Sequence, residues 1–324
     1  MTSSTHPDIL RSTLPRALLL LAVTGGLLGL STNLAKLAGD WSIPPLAFLA
    51  WSMLGATTIL VAVAVVRRDL PSITARTIEY FVVAAFVTVA ASNLIFFSAV
   101  PRVGASFVAL AIAFPPVLTY LGALALRMER FTAMRAAGVV AALAGAAVLA
   151  LFELRAPDAS VFWFALTLLG PVLLAIGNIY RSLRWPPGAS ADSLAPGMLI
   201  AATIMLFAAG LLPTFTLRLP PDGWAMGLTA AQGCVFAAQF LMLFALQKAG
   251  GPVLLSLLGA VGAVVAVPVA VFLLGEEPPR GLLYAVPLIA LGVGLVAWGG
   301  GRADAKGKAP KDGAANGTEA KGTP

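Results

Sequence analysis

Charged residues are scarce in this chain, at 11% of 324 residues, against roughly a quarter in soluble domains. With 59% hydrophobic residues and a mean hydropathy of +0.94, a soluble globule is excluded and the bilayer is the expected solvent. Histidine and cysteine occur once each, as His6 and Cys234. That leaves no disulfide within one chain and no His/Cys cluster for a metal. The chain also lacks a Gly-x-Ser-x-Gly elbow, a Walker phosphate loop and a pair of intramembrane aspartates. Enzymatic activity, ATP-driven work, a metal and a cofactor are therefore not expected. All 14 acidic residues fall in loops, tails or helix ends. The buried carboxylate that usually carries a coupling proton or sodium ion is missing, which points to facilitated diffusion, exchange, or coupling without a buried acid.

What the chain has in abundance is apolar runs of about 20 residues, the length that crosses a bilayer. Ten are expected, near 17–37, 44–66, 78–98, 103–126, 134–152, 161–180, 195–215, 224–246, 252–274 and 282–299. The first could be read as a signal peptide, but its run is long, no Ala-x-Ala cleavage pattern follows and nine more runs come after it. Gly301 to Pro324 is a Lys/Ala/Gly/Pro tail too poor in apolar residues to fold alone. If loops alternate sides, 16 of the 21 Lys and Arg residues fall on the side of both termini and only Lys36, Arg102, Arg155, Arg218 and Arg280 on the other. The positive-inside rule then makes both termini cytoplasmic. The net charge of +7 is mostly this bias, so no nucleic-acid partner is implied.

The chain also looks duplicated. A step of 147 residues carries Glu129, which closes one apolar helix, onto Glu276, which closes another. It carries Gly104 onto Gly251, Ser92 onto Gln239 and Gly145 onto Gly292. An offset of 145 carries Asn33 and Lys36 onto Asn178 and Arg181. Because each half holds an odd number of helices, the second enters the membrane from the opposite side. The expected fold is thus an all-α integral membrane protein of ten transmembrane helices, arranged as two inverted five-helix repeats. Residues 1–16 form a cytoplasmic N-terminal segment, 17–152 the first repeat, 161–299 the second, and 300–324 a disordered basic tail.

Several residues are candidates for function. Pro115 and Pro116 fall in mid-helix, where each removes an amide donor and frees the carbonyls of Ala111 and Ile112. A substrate cavity or a neighbouring helix can take these up. Asn33 with Lys36, and Asn178 with Arg181, each share a helix face. They suit symmetric gates or a substrate site, and Lys36 suggests an anionic or zwitterionic solute; snorkelling cations are the alternative. The polar groups of Ser92, Asn93, Gln232 and Gln239 need partners in an apolar helix, either a substrate or a neighbouring helix. Trp51 and Tyr120 are weaker gating or packing candidates. Glu129 and Glu276 suit hinges that cap the helix following each of them. Gly25 and Gly29, Gly138 to Gly145, and Gly292 with Gly294 suit close helix packing and, secondarily, a homodimer.

Pro116, Glu129 thirteen residues later, the helix containing Gly138, the Leu274, Gly275, Glu276 ending and Asn33 to Lys36 together resemble the drug/metabolite transporter superfamily, specifically its tandem EamA-like domain. The resemblance spans nearly the whole chain. It implies a central cavity lined mainly by helices 1, 3, 4, 6, 8 and 9, and movement of a small metabolite across the bacterial inner membrane by alternating access. Three positions depart from the family pattern: Trp51 where arginine is frequent, Ala263 in place of a second-half proline, and Arg127 with Met128 ahead of Glu129. A non-transporting scaffold or lipid-handling protein is the rival, and it requires a sealed interior.

Overall fold

The computed structural model describes residues 7–70, 73–128, 131–154, 161–256, 258–278 and 281–307. Glu129 lies outside these, as do 308–324 of the expected tail. Among the described residues the structure is helical, with no strand. The helices are α1 Pro7–Asp40, α2 Pro45–Arg67, α3 Ala75–Ala85, α4 Ala91–Val103, α5 Ala105–Ile112, α6 Pro115–Ala125, α7 Ala133–Leu154, α8 Val161–Leu183, α9 Ala191–Ala209, α10 Gly223–Ser256, α11 Leu258–Pro268 and α12 Leu282–Gly307. Short π-helical turns join α3 to α4 at Phe86–Ala90 and extend α11 at Val269–Leu273. Six stretches are long and apolar enough to cross a membrane: Leu18–Asp40, Pro45–Arg67, Ala75–Val103, Ala105–Ala125, Val161–Arg181 and Gly223–Leu246. Four shorter apolar helices, at Ala133–Gly145, Ser193–Ala209, Leu258–Leu273 and Leu282–Leu295, accompany them. This is a multi-pass membrane protein. Large apolar side chains such as Val140, Ile204, Phe272 and Leu283 are exposed, as a surface facing acyl chains requires.

Three boundaries differ from the sequence expectation. The helix expected across 103–126 is broken in two, because Pro115 and Pro116 start α6, where a missing N–H costs no hydrogen bond. The loop expected at 247–251 continues the helix of α10 instead. The tail is helical as far as Gly307; Arg302, Ala303, Ala305 and Lys306 favour helix.

Helix α1 packs along α10 and α11, while α8 packs on α4 and α6. Helix α2 lies against α9 and α10, α9 also against α3, α5 against α11, and α7 against α12. Glycines permit the closest of these approaches. A Cβ on Gly29 would meet the backbone of Gly262 and Ala266, and one on Gly145 or Gly292 would strike the backbone of the helix opposite. These glycine faces are therefore used within the chain.

Candidate functional site

Where the helices from the two halves meet, they leave a cavity of about 130 Å³, room for about four water molecules at liquid density. Its floor is the break in the fourth expected helix. The C=O of Ala111, one of the two freed by the prolines, is taken by the N–H of Phe114 at 3.0 Å. The other, on Ile112, presses against Gly259 of α11, where a Cβ would collide with it. The prolines thus line the cavity, but their carbonyls are spent on a turn and on helix contact. The first π-turn contributes Thr88 and Val89 to the opposite wall, and such turns change the direction in which side chains project.

Six of the expected residues converge here: Asn93, Pro115, Pro116, Asn178, Arg181 and Gln239. Arg181, read from the sequence as a gate or structural group, is 7% exposed. Its Nη2 donates to Asn178 Oδ1 at 2.8 Å, and its buried Nε has no partner. Asn178 also reaches Thr119 Oγ1 at 3.5 Å. Asn93 donates to the carbonyl of Val89 at 2.8 Å, and Gln239 has a buried Oε1 without a partner. Unpaired polar atoms in a low-dielectric interior are costly and suit a site completed by a ligand. Phe96, Phe236 and Phe240 bring aromatic rings to the apolar wall, and Met198 brings in the seventh expected helix. Phe236 and Leu243 were findable, because positions three before and four after Gln239 share its helix face.

The remaining candidates lie elsewhere. Lys36 pairs with Asp40 at 3.5 Å at the far end of α1, away from the cavity. Asn33 donates to the carbonyls of Gly29 and Ala266, at 3.0 and 3.2 Å, tying α1 to α11. Gln232 donates to Ser31 at 2.6 Å and ties α1 to α10. Ser92 is buried outside the cavity lining, and its hydroxyl has no partner. The indole N–H of Trp51 donates to the carbonyl of Leu217 at 2.9 Å and anchors the segment after α9. Tyr120 accepts from the N–H of Thr132 at 3.1 Å and carries the Arg135 guanidinium over its ring at 4.9 Å. Glu276 does not cap the helix that follows it. Gly275, at φ +64, turns the chain so that the carboxylate accepts from the N–H groups of Ala105 and Ser106, at 2.9 and 3.0 Å. It therefore caps α5, whose free N–H groups and positive dipole end lie closer.

A narrow space of about 10 Å³ shares Leu28, Asn93, Phe96 and Ile112 with the cavity and continues toward the end carrying Lys36 and Glu276. The cavity is thus offset toward the Arg181 end of the bundle, while toward the opposite end the Ser31, Asn33 and Glu276 contacts tie neighbouring helices together.

No curated protein matches the chain. One solved structure, described only as the crystal structure of a protein, is 20% identical with a TM-score of 0.60, covering 88% of this chain and 98% of its own. At that identity the likeness speaks for the fold alone. The model of the EamA-like transporter family matches residues 15–151. That match covers α1 through most of α7 and is consistent with the drug/metabolite transporter resemblance carried by the sequence.

Proposed function

We propose that the protein is a secondary transporter of a small organic solute in the bacterial inner membrane, working by alternating access. The observation that carries this reading is the partly polar cavity at the meeting of the two halves, offset toward one end and pinched to about 10 Å³ toward the other. Broken helices at such a place are what transporters use for binding. The rival scaffold requires a sealed interior, which does not accord with a cavity holding a buried arginine.

Counting the four shorter apolar helices as spans gives ten, in two halves of inverted topology. The packing supports this. Exchanging each helix for its counterpart five spans later turns α1 on α10 and α11 into α8 on α4 and α6, and leaves α7 on α12 paired as before. Aromatic contacts follow the same exchange. Trp41 meets Trp224 at 5.8 Å at one end, and Trp185, 144 residues after Trp41, meets Tyr80 at 6.2 Å at the other. With the cationic bias placing both termini in the cytoplasm, the cavity faces inward and the Glu276 end is periplasmic.

Uptake and efflux in proteoliposomes, screened with amino acids, nucleosides, vitamins and polyamines, test the reading. Flux of at least one class above that of empty vesicles is expected; none across the panel overturns it. A reporter active only in the periplasm, fused after Pro324, should stay silent, and strong activity would overturn the topology.

A further inference from the structure

Among the described residues, Arg181 is a charge without a counter-ion. Lys36, its counterpart in spacing, holds Asp40 at 3.5 Å. The Arg181 guanidinium is 7% exposed, uses Nη2 on the neutral Asn178 and leaves Nε buried without a partner. A structural arginine at a helix end would snorkel to water or hold a carboxylate. This one instead lines a cavity whose other polar groups are side-chain amides and a hydroxyl.

We propose, building on the transporter reading, that the solute is a small organic monoanion, a carboxylate on an apolar or aromatic body, and that Arg181 binds its charged group. One buried cation is neutralised by one negative charge; a dianion would leave an excess charge in an apolar site, and a cation would add to the charge already there. The planar guanidinium fork matches the two oxygens of a carboxylate. Phe96, Phe236 and Phe240 offer ring faces for the body, and the free Gln239 Oε1 accepts a donor carried by it. Nucleosides and polyamines, neutral and cationic, fit less well.

Phenylacetate, phenylacetamide and phenethylamine share one body and differ in charge, which makes them suitable probes. The purified full-length protein in detergent is heated with each. Phenylacetate is expected to raise the melting temperature while the amide and the amine do not. Arg181→Gln should weaken its binding about 10- to 100-fold. Arg181→Lys, which keeps the charge and loses the fork, should retain part of it. The ligand-free Arg181→Gln protein should melt higher than the unaltered one, because an unpaired buried cation is gone; a structural arginine would give the reverse. If that variant does not fold, the ranking of the three probes on the unaltered protein decides. Equal stabilisation by the amide or the amine, or none by either phenylacetate or octanoate, overturns the proposal. Binding of the acid without flux in proteoliposomes would sink the transporter reading and leave the anion site. Flux of neutral or cationic solutes that is indifferent to Arg181→Gln would do the opposite.

Discussion

Gly104 and Glu276, 172 positions apart, are in direct contact: a Cβ on Gly104 would run into the carboxylate that caps α5. Gly104 also has φ +83, a conformation that glycine alone adopts freely. The turn into α5 and the carboxylate from the other half thus form one joint at the end of the bundle opposite Arg181. Glu276→Ala should lower stability by about 1–2 kcal/mol, the cost of a lost cap. Gly104→Ala should cost more, since it combines backbone strain with displacement of the carboxylate. Thermal unfolding in detergent orders the two, and a Gly104→Ala protein as stable as the unaltered one would refute the joint.

Gly259 and Gly26 should respond to alanine in opposite ways. A Cβ at Gly259 would meet the Ile112 carbonyl, which is backbone and cannot swing aside, whereas nothing lies within 4 Å of one at Gly26. Gly26→Ala should be neutral or stabilising by up to about 1 kcal/mol, the gain in helix propensity. Gly259→Ala should reduce the yield of monodisperse protein and abolish transport. Size-exclusion profiles of the two variants are the check.

Ser31 and Gln232 form a buried pair, with Gln232 0% exposed. Ser31→Ala should cost about 1–3 kcal/mol, because it leaves an amide donor buried and unpaired. Replacing both residues, Ser31→Ala with Gln232→Leu, should restore much of the loss. A double-mutant cycle on melting measures this, and simple additivity would show that the hydrogen bond is not what holds α1 to α10.

Lys36→Ala should leave transport near its unaltered level. The residue pairs with Asp40 one helical turn away, and such pairs are worth about 0.3–0.5 kcal/mol. Initial rates in proteoliposomes test it; loss of flux at normal abundance would return Lys36 to the substrate path.

Pro115→Ala with Pro116→Ala restores two donors at the break between α5 and α6. The helices should merge, the cavity narrow and flux fall, while melting stays level or rises, given the roughly 3 kcal/mol that interior proline costs a helix. Normal flux in a more stable protein would make the break architectural.

The bilayer class and most of the apolar helices were legible in the sequence, because they follow from local composition and spacing. Pro115 and Pro116 announced a break for the same reason: a missing amide hydrogen is a property of the residue itself. What each polar side chain does with its partner was not local. Asn33 and Lys36 match Asn178 and Arg181 in spacing, yet one pair is spent on Ala266 and Asp40 while the other faces a cavity. Residues alike in sequence thus meet different surroundings. Glu276 makes the same point. Its position at a helix end was evident, but which helix it caps depended on which free N–H groups the packing of the two halves brought within 3.0 Å. Sequence fixes which groups need a partner; the tertiary structure decides who supplies it where, as for Asn33 with Ala266, Gln232 with Ser31 and Glu276 with Ala105, the partner sits on a helix more than a hundred residues away.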